Sequence, residues 1–242
     1  MLIQALSSLL LVLLQARSTF GESKVSVAFY GESQCPFCRK FVAVWDDVWG
    51  DAELRSYIDY TFVPWGNAYF GTDMCGHGPY NPEERACWYD HCIVATNDDE
   101  DACFGGHVVY QHSEKEGQMD IYESCVLEEI GLDAAVAFTS CCEGPNMDDE
   151  SMSAAELMKQ CMPEGQGSLI QTCLETRGRS IEISNAKKTP VHPGVPYVVV
   201  DGEVLDNPLA VKESICEALG QQGKTPQACV RTDGMNSSTE IA

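Results

Sequence analysis

Two cysteines three positions apart, Cys35 and Cys38, enclose Pro36 and Phe37. Before them runs the β-branched stretch Val25-Ser26-Val27-Ala28-Phe29-Tyr30, and after them an apolar-rich run from Phe41 to Trp49. The thiols therefore stand where a strand hands over to a helix. A helix N-terminus offers free N–H groups and partial positive charge, which stabilise a thiolate near neutral pH. Pro36 suits the first helical turn, where its missing N–H costs nothing. Cys38 follows one turn on, within reach of Cys35. The chemistry this arrangement predicts is thiol–disulfide exchange. Cys35 attacks a substrate sulfur, the more buried Cys38 resolves the mixed disulfide, and Pro36 and Phe37 shape the turn and keep water out.

Other chemistries fit less well. Cys35, Cys38, Cys75 and His77 would make a Cys₃His zinc set, but their spacing is not that of a compact finger. His77, His91, His107, His112 and His192 lie mostly in loop-like sequence, where surface or hydrogen-bonding roles are expected, and nothing local pairs one with Cys35 as a protease would. The acidic run Asn97-Asp98-Asp99-Glu100-Asp101 lacks EF-hand spacing. Neither a metal nor another cofactor is expected.

The 242 residues suffice for a sizeable core. A formal charge of −22, from 15 basic and 37 acidic residues, argues against nucleic-acid binding and suits work in acid, where carboxylates become neutral. Residues 1–21 read as a secretory signal with its apolar centre from Leu9 to Leu14, too short to span a bilayer. No later stretch reads as a membrane span. All 13 cysteines lie beyond that signal, which fits an oxidising compartment and a disulfide framework. Setting the Cys35/Cys38 pair aside leaves an odd number, so at least one further cysteine has no partner within the chain.

The elements that must position the pair are a strand, a helix and a second strand (Ile58-Asp59-Tyr60-Thr61-Phe62-Val63), a βαβ unit. Within its helix Phe41, Val42, Trp45, Val48 and Trp49 recur at helical spacing. Residues 64–109, rich in Gly, Pro, Asn and Asp and carrying Cys75, Cys87, Cys92 and Cys103, read as an irregular insertion held by its own disulfides rather than by a core. Residues 119–175 read as a helical insertion, with short helices at 153–162 and 168–175, stapled by Cys141 or Cys142, Cys161 and Cys173. Val195-Pro196-Tyr197-Val198-Val199-Val200 is strand-like, Asp201-Gly202 a tight turn, Glu203-Val204-Leu205 the returning strand, and Pro208 to Leu219 a helix. The expected fold is α/β, thioredoxin-like, with the disulfide-rich loop insertion and the helical insertion between its two halves. One domain spans 22–230, and a flexible tail spans 231–242 with an Asn236-Ser237-Ser238 glycosylation sequon. In such folds a cis proline at the head of the later hairpin lies beside the thiol pair and presents backbone to an extended substrate. Val195 and Pro196 are the candidates, Pro196 as the cis residue.

With these features in place the chain resembles the gamma-interferon-inducible lysosomal thiol reductase family. The resemblance rests on Cys35-Pro36-Phe37-Cys38, on Val63-Pro64-Trp65-Gly66-Asn67-Ala68, and on residues 110–125, which keep the spacing of the signature C-Q-H-G-x2-E-C-x2-N-x4-C. Gln111, His112, Glu116 and Cys125 match it, whereas Tyr110 and Gly117 replace its first two cysteines, Ser113 its glycine and Asp120 its asparagine. Joint loss of two cysteines is what loss of one disulfide would look like, with bridges among Cys75, Cys87, Cys92 and Cys103 as replacements. Ser184-Asn185-Ala186-Lys187-Lys188-Thr189 also looks like the family. The resemblance implies a reductase of unfolded, disulfide-containing proteins that draws on a small-molecule thiol in a lysosome-like compartment. An oxidase or isomerase on the same fold, and a secreted binding protein in which Cys35–Cys38 is merely structural, are the alternatives.

Overall fold

The computed structural model describes residues 23–95, 99–144 and 151–230. The signal segment, Asn97 and Asp98 at the start of the acidic run, and the tail with its Asn236 sequon lie outside the described residues. Strand β1 (Val25–Gly31) leads into helix α1 (Pro36–Gly50), a short α2 (Ala52–Ser56) and β2 (Ile58–Pro64), and β1 and β2 pair in parallel. Near the end of the described chain β5 (Tyr197–Val200) joins β1 antiparallel and turns into β6 (Glu203–Val204). The four-stranded sheet has the order β2-β1-β5-β6. Asp201 and Gly202, at φ +47° and +87°, form the two-residue turn with both central residues left-handed, the geometry that matches strand twist.

Alternation decides which face is buried. Val25, Val27 and Phe29 of β1 and Ile58, Tyr60 and Phe62 of β2 point into one core. There they meet Phe41, Trp45 and Val48 of α1, together with Ile215 and Leu219 of the last helix, α9 (Val211–Gln221). Rings interlock: the Phe29 and Phe41 centroids are 4.3 Å apart, as are those of Trp45 and Tyr60. Each buried side chain of this size contributes about 1.5–3 kcal/mol.

The segment after β2 departs from the expectation of a coreless loop. It folds as β3 (Tyr69–Phe70), α3 (Pro82–Trp88), a π-helical turn (Tyr89–Val94), α4 (Glu100–Phe104) and β4 (Val108–Val109), with β3 and β4 paired. Trp65, Tyr69, Phe70, Trp88, Tyr89 and Phe104 form a second core. Bridges Cys75–Cys87 and Cys92–Cys103 are internal to this segment, as replacement bridges would be.

The helical middle comprises α5 (Glu114–Glu129), α6 (Leu132–Cys142), α7 (Ala154–Cys161) and α8 (Gly167–Lys188), joined by Cys125–Cys173 and Cys141–Cys161. Helix α8 runs 22 residues, well past the short helix expected at 168–175. Its second half is polar in sequence and is ordered by packing and by Asn185, whose Nδ2 donates to the Pro64 carbonyl (2.9 Å) and to Ser124 Oγ (2.8 Å). A last bridge, Cys216–Cys229, ties α9 to the chain after it. The unpartnered cysteine is Cys142, which is buried. No helix among the described residues is long and apolar enough to cross a membrane.

Candidate functional site

Strand β1 ends at Gly31, and three residues later the chain enters α1 with Cys35 as its N-cap and Pro36 in its first turn. Cys35 Sγ accepts from the Cys38 backbone N–H at 3.4 Å. Gln34, just before it, sits at φ +67°, a left-handed conformation costly for a side-chain-bearing residue. Neighbouring acids hold this turn. Ser33 N donates to Asp120 Oδ1 (2.8 Å) and Gln34 N to Glu143 Oε1 (3.2 Å), while Gln34 Oε1 accepts from Ser113 Oγ (2.5 Å). Cys35 and Cys38 are unbridged and buried.

The two thiols are electrically unlike. A hydrogen bond from the Cys38 thiol is the largest influence pulling Cys35 down, to about 4. Burial opposes it, and hydrogen bonds from His112 and the N–H groups of Cys38 and Phe37 reinforce it. Cys38 is pushed well above the usual thiol range by its burial and by the Cys35 charge. The pair is one thiolate and one thiol, with the charge on the first.

Two groups missing from the sequence reading of the site complete it. His112 is raised to about 10, first by its hydrogen bond to Cys35 and then by Glu32, so it is an imidazolium beside the thiolate. Glu32 Oε1 lies 3.3 Å from His112 Nε2, with the glutamate side chain fully buried. Glu32 Oε2 accepts from Asn67 N at 2.6 Å. This approach requires Gly66, which has φ +58° and where a Cβ would come within 2.3 Å of Glu32 Oε2. Residues that match the family signature frame the imidazole. Glu116 accepts from His112 N (2.6 Å) and Gln111 N (3.3 Å), and Gln111 Oε1 accepts from Asn67 Nδ2 (2.5 Å). Helical spacing on α5 could have flagged the acids: Glu116, Asp120 and Glu123 at i, i+4 and i+7 share one buried face. With Glu32 and Glu143 they form a set of buried carboxyls around the thiols, each pushed up chiefly by burial.

The other sequence candidates fall as follows. The Val195–Pro196 peptide is cis; both residues are half-buried, and Val195 packs on the core that contains Cys35 and Cys38. Phe37 is 62% exposed, with Lys40 Nζ 5.2 Å from its ring centre, so it does not shield the sulfurs from water as expected. The Cys₃His zinc set does not assemble, because Cys75 is bonded to Cys87. Glu32, Cys35 and His112 each place a donor atom within 4.8 Å of the others, as metal ligands can, but ion pairing already accounts for that trio. His77, His91 and His107 are exposed. His192 is buried against Arg85, whose Nη1 donates to the His192 carbonyl at 3.2 Å.

Residues 26–104 match the family model described as gamma interferon inducible lysosomal thiol reductase. Gamma-interferon-inducible lysosomal thiol reductase of Mus musculus is 27% identical over 213 residues, covering 85% of this chain and 71% of that protein. Gamma-interferon-responsive lysosomal thiol protein of Arabidopsis thaliana is 24% identical over 230 residues, covering 90% and 80%. Among solved structures, oxidised BdbD from Bacillus subtilis aligns with TM-score 0.52 at 14% identity, over 84% of this chain and 89% of that one, a likeness of fold.

Proposed function

We propose that this chain, whose residues 26–104 match the gamma interferon inducible lysosomal thiol reductase family model, is a thiol–disulfide oxidoreductase that reduces protein disulfides through Cys35 and Cys38. The observation that carries the reading is the inequality of the pair, with Cys35 low at about 4 and Cys38 high. A thiolate attacks a substrate disulfide and a thiol does not. Cys35, charged down to mildly acidic pH, forms the mixed disulfide. Cys38 then displaces the substrate thiol and leaves Cys35–Cys38 oxidised. Val195 and Pro196 offer backbone for an extended substrate, and Pro36 and the exposed Phe37 border the nucleophile. Unfolded, disulfide-containing proteins are the substrates and a small-molecule thiol is the reductant. No bound cofactor enters this scheme.

An acidic, lysosome-like or secretory setting follows from the same region. Four buried carboxyls outside the His112 pair, Glu116, Asp120, Glu123 and Glu143, are raised chiefly by burial and are accommodated best when protonated, which acid supplies. The domain reading goes with this: one thioredoxin-like domain over 22–230 carrying two insertions. The test is turnover of a denatured disulfide-bonded protein at acidic and neutral pH, with Cys35→Ser as control.

A second reading, oxidase or isomerase, has one observation in its favour. A strongly stabilised Cys35 thiolate also stabilises the dithiol form, which makes the pair a weaker reductant. Equilibration against glutathione separates the two: a potential below that of the glutathione couple supports reduction, and one well above it supports oxidation.

A further inference from the structure

The loop that ends on the cis Val195–Pro196 peptide, residues 189–196 between α8 and β5, carries Pro190, Pro193 and Pro196. Proline has no N–H to donate. Among the described residues, no backbone–backbone hydrogen bond outside the regular elements involves residues 190–196. Val191 is 54% exposed, and a Cβ at Gly194 would stand in open space. A loop with so few main-chain ties must be held by side chains.

One buried contact holds it. Arg85, on α3 of the disulfide-stapled segment, is 8% exposed, and His192 is 5% exposed. Arg85 Nη1 donates to the His192 carbonyl at 3.2 Å and Nη2 to His192 Nε2 at 2.7 Å. The second bond needs a neutral imidazole, since a guanidinium can only donate. Burial and then Arg85 itself lower His192 to about 4, against the Pro190 and Gly66 carbonyls, and so keep the ring neutral above that value. His192 Nδ1 in turn donates to the Pro190 carbonyl at 2.7 Å, which closes the loop on itself. The Tyr89 and Tyr197 rings pack on the imidazole with centroids 6.1 and 5.4 Å away.

Arg85 serves this loop rather than an ion pair. Burying a guanidinium is costly, and no carboxylate among the described residues forms a salt bridge with it. Stability alone would be served as well by an apolar residue of similar volume. Its own helix is firmly seated: Cys87 is bonded to Cys75, and Trp88 is fully buried in the second core. The groups that lower Cys35 are Cys38, His112 and the N–H groups of the turn, and Arg85 is not one of them.

We infer that Arg85 is a positioning residue for polypeptide substrates: through His192 it fixes the loop whose Val195–Pro196 backbone receives the extended chain, so the stapled segment 64–109 governs recognition of protein disulfides and not the reactivity of the thiols. This rests on the reductase reading above. Its consequence is a dependence on substrate size, because a small disulfide has no chain to lay along the loop.

The test compares two disulfides on the full chain with a small thiol supplied: the symmetrical disulfide of nitrothiobenzoate, and a fluorogenic disulfide joining two extended peptides. Arg85→Met keeps an unbranched stem and removes the donors. It is expected to lower kcat/KM for the peptide disulfide by about 10- to 100-fold, mostly through KM, the scale of a misplaced substrate. The nitrothiobenzoate reaction and the pH midpoint of Cys35 alkylation should change far less. Arg85→Lys, which keeps a cationic donor, should recover part of the loss. Equal loss on both disulfides in Arg85→Met, or loss on neither, would overturn the assignment. Should Arg85→Met fail to fold, Arg85→Lys decides by the same comparison: loss confined to the peptide supports the assignment, and equal loss or none overturns it. Failure of wild type to reduce the small disulfide would instead sink the reductase reading.

Discussion

His112 Nε2 stands 3.3 Å from Glu32 Oε1 and also hydrogen-bonds Cys35, so one imidazolium joins the buried Glu32 side chain to the Cys35 sulfur. Neither partner lies on the helix that carries the thiols. Glu32 comes from the loop after β1, and His112 from the loop that opens α5. Cys35 is therefore tuned by the helical middle of the chain as well as by the helix it caps.

Removing that imidazolium should raise the Cys35 pKa. A hydrogen bond to a charged group is worth roughly 1.5–3 kcal/mol, so His112→Ala should shift Cys35 up by about one to two units from its value near 4. The rate of iodoacetamide alkylation against pH reads this midpoint. An unmoved midpoint would show that the Cys38 thiol and the backbone N–H groups hold the thiolate without His112.

Gly66 should resist substitution for two reasons acting together. At φ +58° a Cβ is strained, and that Cβ would strike Glu32. Gly66→Ala is expected to cost on the order of 1–3 kcal/mol in denaturant unfolding and to displace Glu32 from His112. A shift in the Cys35 alkylation midpoint would accompany it; stability lost with the midpoint unchanged would separate fold from tuning.

Tyr110 and Gly117 occupy positions where the family signature has cysteines, and here they fit each other: a Cβ on Gly117 would lie 2.0 Å from Tyr110 Cζ. Tyr110 also donates its hydroxyl to Glu182. In an open helix Gly→Ala gains roughly 1 kcal/mol. At Gly117 the ring contact should reverse that sign, with Gly117→Ala destabilising by about 1–3 kcal/mol. A stabilised Gly117→Ala variant would refute the contact.

Stability should rise as the medium becomes acidic. Glu32, Glu116, Asp120, Glu123 and Glu143 have folded-state pKa values above their unfolded ones. The folded chain thus holds protons that the unfolded chain has lost, and this advantage fades as pH rises through the folded values, about 8 for Glu143. His112, raised to about 10, acts in the same direction above its ordinary value. Cys35 and His192, each lowered to about 4, act in the opposite sense but are outnumbered. Each net proton contributes about 1.4 kcal/mol per pH unit. Thermal unfolding between about pH 8 and about pH 5 should show a rising Tm, and a falling one would contradict the burial of these acids.

Much of the frame was legible because it is local. The β-branched run of β1, the helical spacing of Phe41, Trp45 and Val48, the turn at Asp201-Gly202 and the Val-Pro step at its cis bond all carry their signals within a few residues. What escaped was long-range. Glu32 and Glu143 are ordinary acids in sequence, and only the fold buries them beside sulfur. The acidic face of α5 reads like a solvated one until Asp120 is found holding the Ser33 N–H. The second half of α8 lacks apolar periodicity because Asn185 and a few buried contacts replace it. The aromatic residues between Trp65 and Phe104 make a core only when β3 and β4, far apart in the chain, pair with Tyr69 opposite Val109 and Phe70 opposite Val108.

The proposed chemistry requires Cys35 as an acid-competent nucleophile with Cys38 resolving. The most direct measurement is reduction of a denatured, disulfide-bonded protein by the full chain at mildly acidic pH, with a small thiol supplied and with Cys35→Ser and Cys38→Ser alongside. Turnover by wild type, none by Cys35→Ser, and a trapped mixed disulfide on Cys35 in Cys38→Ser is the predicted result. Undiminished reduction by Cys35→Ser would contradict it.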